Sequence, residues 1–180
     1  MRALAQRRPP APGLTLVELL VVLAVLGVLV ALALPGAAGP EATRLHAAAA
    51  EVAQALRYAR SEALRSGRLI GVRIDAAGGR VVVSSYQDEA TATTLAHPAD
   101  RRSYDLVLAS ALNAPGLTVS AAAFHPGPKD LIVFDPGGNA AVFDASGIAT
   151  VPLTGGSVVL SLRGRQASVG VDANGRVTLQ

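Results

Sequence analysis

The sequence predicts an α+β fold: a long N-terminal helix, transmembrane in its first part and amphipathic in its second, packed on an antiparallel β-sheet domain. Three observations predict it. The apolar run from Leu14 to Leu34 contains one ionisable residue, Glu18. The stretch from Glu41 to Gly67 repeats apolar residues at helical spacing, and the chain after Leu69 breaks into short β-rich runs separated by Gly, Asn, Asp and Pro. A helix first and strands afterwards make an α+β layer, whereas a parallel fold would alternate them.

Composition sets the scale. A chain of 180 residues, 51% hydrophobic, has room for one membrane segment and one modest domain. With no cysteine it holds neither a disulfide framework nor a thiolate metal site. The formal charge of +3 rests on Arg2, Arg7 and Arg8, which all precede Gly13; without residues 1–13 the formal balance is zero. Net charge therefore gives no reason to expect an acidic partner. The leader arginines suit a topological role, holding the N-terminus in the cytoplasm and sending the remainder across.

Leu14 to Leu34 would form a helix about 31 Å long, enough to span a bilayer core of about 30 Å. Three readings compete. A secretory signal peptide fits the basic start and the small-residue triplet Ala31, Leu32, Ala33, and a plain membrane anchor fits the length. Neither explains Glu18, since a charged side chain at the centre of such a helix costs about 2.5–3.5 kcal/mol. The third reading rests on a family resemblance carried by Gly13 to Leu19.

The string "LPGAAGP", Leu34 to Pro40, must kink or loosen the helix, with Pro35 as the hinge. Beyond it Leu45, Ala49, Val52, Leu56, Ala59 and Ala63 lie on one stripe, with Glu41 in the first turn, Arg65 in the last and Gly67 as the stop. The stripe is thin and alanine-rich, so it needs a sheet to cover it. "LIGVRID", "AAGG" and "RVVVSSY" read as a β-hairpin over Leu69 to Tyr86. Gln87 to Ser103 is polar and has no period, which predicts an exposed loop. "YDLVLAS", "LTVSAAAF", "LIVFD", "AAVFD", "IATVPL", "SVVLSLRG", "RQASVGVD" and "RVTLQ" predict antiparallel strands joined by turns.

No catalytic constellation emerges, and no cofactor is expected. His46, His97 and His125 are scattered, and none stands at metal-ligand spacing with another. "DPGGN" and "DANG" begin like calcium loops but lack the alternating donors and terminal glutamate, so they read as hairpin turns. Arg163 and Arg165, with Arg176 near them in sequence, are candidates for a phosphate-contacting strip; two arginines around a turn glycine ordinarily make a solvated hairpin. Arg60, Glu62 and Arg65 read first as a solvated helix face, with a subunit contact as the sharper alternative.

"GLTLVELLVVLAVLGVLVALALP" resembles the class III signal of type IV pilins and type II secretion pseudopilins, matching it at Gly13, Thr15, Leu16, Val17, Glu18 and Leu19. Leu14 stands where phenylalanine is commoner, and "PPAP" separates the arginines from Gly13. The resemblance implies that a prepilin peptidase cuts after Gly13 and methylates the new terminus at Leu14. It also implies that the helix stays on the mature protein and that Glu18 neutralises the N-terminal amine of a neighbouring subunit. Later strings resemble the GspH/FimT family of minor pseudopilins and minor pilins: "LRYARSEALRSG" leading into "LIGVRI", the Phe-x-x-x-Gly turn at Phe134 or, preferably, Phe143, and "GRV" at Gly175. Gln87 to Ala123 carries no such resemblance.

The resemblance implies a non-enzymatic, pilin-like subunit that is single-pass in the inner membrane with its C-terminal domain periplasmic. Residues 1–13 would be the leader, 14–34 the membrane and filament-core helix, 35–67 the hinge and amphipathic helix, and 68–180 the β domain. Its partners would be other pseudopilins or pilins, the prepilin peptidase and the inner-membrane assembly platform. The expected machine is a type II secretion system; the alternative is a type IV pilus, with a role in priming or DNA uptake. Some FimT-like minor pilins have C-terminal arginines implicated in DNA uptake, which keeps Arg163, Arg165 and Arg176 as weaker nucleic-acid candidates. From a different class, a secreted β-domain protein would follow if Ala33 marked a signal-peptidase cut.

Overall fold

The computed structural model describes residues 15–33, 39–127 and 129–180, excepting the side chains of residues 30–33. The chain divides into two units, Met1–Ala38 and Gly39–Gln180. The first contains helix α1, Leu16–Ala33. At 18 residues it is about 27 Å long, short of a bilayer core of about 30 Å; among the described residues no helix is long and apolar enough to cross a membrane. Leu14 and Leu34, the ends of the expected span, lie outside the described residues.

The second unit opens with helix α2, Pro40–Ser66. Proline suits the first helical position because its missing N–H would have no partner there, and Gly67 ends the helix at φ 64°, donating its N–H to Ala63 O at 3.0 Å. All six residues of the predicted stripe are buried. Ala48, Ala53 and Ala55 are buried too, so the covered face is wider than one stripe.

Two sheets cover that face. The larger has seven strands: β1 (Ile70–Asp75), β2 (Arg80–Tyr86), β3 (Ala92–Thr94), β4 (Asp105–Val107), β6 (Leu131–Phe134), β7 (Ala140–Phe143) and β8 (Thr150–Pro152). Its order is β3-β2-β1-β6-β7-β8, with β4 pairing β2 beside β3. The smaller sheet has four strands in the order β11-β10-β9-β5: β5 (Leu117–His125), β9 (Gly155–Leu162), β10 (Arg165–Asp172) and β11 (Val177–Leu179). Every pairing is antiparallel. Helix α2 packs on β1, β2 and β6 of one sheet and on β9, β10 and β11 of the other.

Strands β6 and β7 are apolar at every position because both faces of the larger sheet are covered there. Ile132, Phe134, Ala140 and Val142 join the main core under α2. Leu131, Val133, Ala141 and Phe143 point the other way, into a second cluster with Tyr86. Gly71 makes room for it: a Cβ there would lie 2.7 Å from Val133 Cγ1 and 2.9 Å from Tyr86 Cε2. The segment after β2 is fastened to β1 and to the chain around β6 and β7. Glu89 N–H donates to Gly147 O at 2.8 Å, Lys129 Nζ lies 3.0 Å from the Glu89 carboxylate, and Arg73 donates to Glu89 O at 3.2 Å.

Two sequence expectations are corrected here. Gln87 to Ser103 is not wholly loop: β3 forms within it and pairs with Ser84–Tyr86. Its three residues are all exposed, so no apolar alternation marks them as a strand. "YDLVLAS" is strand only over β4; a single helical turn, α3 (Leu108–Ala111), follows and buries Leu108.

Candidate assembly segment and body surface

Thr15 caps α1. Its Oγ1 accepts the Glu18 N–H at 3.3 Å and its carbonyl accepts the Leu19 N–H at 3.1 Å. Thr15 and Glu18 thus occupy the first and last positions of a capping box, Thr-x-x-Glu, at the start of the apolar run. Glu18 stands in the first turn, where the positive end of the helix dipole favours a carboxylate. The acid is therefore at the rim of the helix, and the cost of placing it at a bilayer centre does not apply in full. Among the described residues its carboxylate accepts no hydrogen bond.

The helix behind it is apolar on all sides. Leu16, Val17, Leu19, Leu20, Val21, Val22, Leu23, Val25, Leu26, Val28 and Leu29 are all exposed, with Leu16 at 77%. A soluble helix would place polar residues on one side; a helix apolar all round needs lipid or other apolar helices around it. Gly13, Leu14 and Pro35, three of the predicted site residues, lie outside the described residues.

The three candidate arginines are not brought together. Arg163, at φ 49°, and Gly164, at φ 82°, form the two-residue turn between β9 and β10. Arg163 pairs with Glu41 in the first turn of α2, and Arg165 is exposed beside it. Arg176 lies past the other end of β10, eight residues long, so that strand separates it from Arg165 by roughly 26 Å. There the turn is held by α2 instead: Arg60 donates to Gly175 O at 3.3 Å and Arg57 to Val177 O at 3.4 Å. Arg60, read from the sequence as part of a solvated helix face, is instead half-buried and bonded to this turn; its tie, that of Arg57 and that of Glu41 escaped the sequence reading because partners more than a hundred residues away leave no local signal.

The turns that resemble calcium loops use their carboxylates internally. Asp135 accepts the Asn139 N–H at 2.8 Å and the Asn139 amide at 3.0 Å, and Asp172 accepts the N–H groups of Asn174 at 2.9 Å and Arg176 at 2.8 Å. Asp144 accepts the Ser146 hydroxyl at 2.6 Å in the second Phe-x-x-x-Gly turn. His46 stands on α2, His125 at the end of β5, and His97 packs edge-on against Tyr104 with centroids 4.5 Å apart. Burial, with Glu51 and Tyr58 nearby, pushes the Tyr104 hydroxyl up to about 12, so it stays neutral in the core.

Such a body, one long helix across two antiparallel sheets, is matched by known proteins. The family model for the type II transport protein GspH matches residues 48–175. The chain belongs to the GspH family. Among relatives of this GspH-family chain, the pilin-like protein PilA1 of Thermus thermophilus is 33% identical over 175 residues, covering 93% of this chain and 97% of its own. Of solved structures, the minor pseudopilin EpsH from the type 2 secretion system of Vibrio cholerae aligns with a TM-score of 0.54 at 19% identity, over 76% of this chain and 96% of that one. The type IV minor pilin FimU of Pseudomonas aeruginosa aligns with a TM-score of 0.50 at 21% identity, over 77% and 89%. The fold is thus the pilin-like α+β fold that the sequence predicts.

Proposed function

We propose that this chain is a minor pseudopilin, a non-enzymatic filament subunit of a type II secretion system. It is made as a precursor, cut after Gly13 by a prepilin peptidase, and methylated at Leu14. Residues 14–34 hold it in the inner membrane as a single pass, hinged at Pro35, with the GspH-like body in the periplasm. The observation that carries this reading is α1: apolar and exposed on every side, capped by Thr15, with Glu18 in its first turn, ahead of a GspH-family body.

In a filament such helices bury one another's apolar surface at the core, and the sheets form the outside. Glu18 sets the register by pairing with the Leu14 amine of a neighbour. Two such charges about 4 Å apart attract by about 4 kcal/mol at an effective dielectric of about 20, and pairing removes much of the cost of leaving either alone in hydrocarbon. The filament then acts as a piston or plug that helps drive folded proteins through the outer membrane.

A second reading, a minor pilin of a type IV pilus, is supported by the pilin-like relative at 33% identity and by the FimU likeness. Recovery of the chain with surface pili sheared from its host, against recovery with a periplasmic secretion assembly, separates the two. The deciding test of both is the intact mass and N-terminal sequence of the protein from host membranes. A chain beginning at Leu14 and one methyl group heavier is expected; one beginning near Gly36 returns the protein to the secreted class.

A further inference from the structure

Unit Gly39–Gln180 carries arginines at both ends of β10. At the first end, Arg163 and Arg165 flank Gly164, and Arg163 is paired with Glu41. Arg44 stands one turn further along α2 and is exposed. Neither Arg44 nor Arg165 is in an ion pair among the described residues, so this corner of three arginines and one glutamate holds a surplus of two positive charges. At the far end of β10 the turn presents Asp172 together with Arg176, and the guanidinium groups of Arg57 and Arg60 are spent on the carbonyls of Val177 and Gly175.

Only six residues, 34–39, separate Ala33 from Pro40. Whatever their path, they reach at most about 25 Å. The basic corner is bonded to the first turn of α2, the point at which the chain enters this unit. If residues 14–34 span the membrane, as proposed above, the tether bounds how far that corner can stray from the leaflet surface, so that docking there is an intramolecular step. The geometry points to Arg44, Arg163 and Arg165 as a docking surface for anionic phospholipid headgroups, which steadies the body on the membrane before the subunit enters a filament. Guanidinium groups bind phosphate oxygens in a fork, and a surface of surplus positive charge is drawn to an anionic leaflet within a Debye length. Single-stranded nucleic acid fits less well, because every tyrosine and phenylalanine of the chain is buried or half-buried and none offers bases a stacking platform.

The test uses the full-length chain, which has no cysteine, so a single one can be labelled. A donor dye is placed on Gln166→Cys beside the corner, or on Asn174→Cys beyond the far end of β10; both positions are exposed. The chain is incubated with acceptor-labelled vesicles of phosphatidylcholine, alone or mixed with phosphatidylglycerol. Energy transfer from position 166 is expected to rise when phosphatidylglycerol is present and to fall with added salt, while transfer from 174 stays flat. Arg44→Gln with Arg165→Gln spares the Glu41 tie. Each substitution should lower the ratio of docked to free body about fivefold, and the pair about 25-fold. A chain that floats with both vesicles but shows no dependence on phosphatidylglycerol, or none on the two arginines, overturns the inference and leaves the membrane segment standing. A chain that floats with neither overturns the membrane reading and the docking surface with it. Duplex DNA that displaces the corner from mixed vesicles and binds equally well without them reassigns it to nucleic acid.

Discussion

Asp135, Asp144 and Asp172 each open an Asp-x-x-Gly turn, and in each the glycine N–H returns to the aspartate carbonyl at 2.8, 3.1 and 2.9 Å. The glycines follow with φ of 77°, 72° and 72°, a region other residues enter only under strain. This much was legible, because the aspartate, the glycine and their spacing are all local. Asp88 performs the same service without a glycine, accepting the N–H groups of Ala90 and Thr91. Three of these carboxyls sit below the usual range. The Thr91 and Ala90 bonds lower Asp88, and the Ser146 hydroxyl and amide lower Asp144. Partial burial pushes Asp135 up, but bonds from Asn139, Gly137 and Gly138 outweigh it. A depressed folded value means that the unfolded chain binds more protons near its own value of about 3.9. The stabilisation is therefore present above about pH 4 and lost as the pH falls through the folded values. The urea midpoint should decline on acidification through that window, and D88N/D135N/D144N should flatten the decline. An unchanged acid slope in the triple variant would remove these turns as its source.

Helix α2 shows what periodicity can and cannot deliver. Its start, its stop and its buried stripe were readable because each depends on neighbours within one turn. What the stripe could not reveal is how close the sheets come. Ala48, Ala49, Ala53, Ala55, Ala59 and Ala63 are all at most 1% exposed, so two sheets approach the helix backbone where larger side chains would hold them off. Ala59→Leu should thus destabilise the body by about 1–3 kcal/mol through overpacking, read as a lower urea midpoint. Ala50→Leu, on the exposed face of the same helix, should leave the midpoint within about 0.5 kcal/mol of the parent. Equal effects at both positions would mean that the helix does not seat as described. Strand β3 and the turn α3 were illegible for the converse reason: the β2 edge that pairs one and the core that takes Leu108 from the other are tertiary features.

At the scale of the whole chain, the class was legible and the pairing was not. The β-rich runs of the sequence do not say that β1 pairs with β6 across some sixty residues, or that β5 joins β9 in a separate sheet, because those pairings are tertiary. The apolar segment was legible from composition, yet its key residue had two explanations that composition cannot separate. Glu18 is both the residue whose N–H Thr15 caps and the charge proposed to meet a neighbour's amine. Glu18→Gln separates them, since its backbone N–H still meets the Thr15 hydroxyl while its side chain carries no charge. If the charge is what counts, the glutamine variant should keep the wild-type urea midpoint for Gly39–Gln180, a separate unit, yet fall about tenfold or more in the share of subunit recovered with pelleted filaments, a loss of about 1.4 kcal/mol or more per incorporation. Thr15→Val makes the reverse change: it removes the hydroxyl that caps Glu18 N–H, weakening the start of the helix by about 1 kcal/mol while leaving the carboxylate. Filaments lost with Thr15→Val and kept with Glu18→Gln would make the capped start of the helix what counts and leave the carboxylate no part in assembly, and the register would have to come from the packing of the apolar side chains.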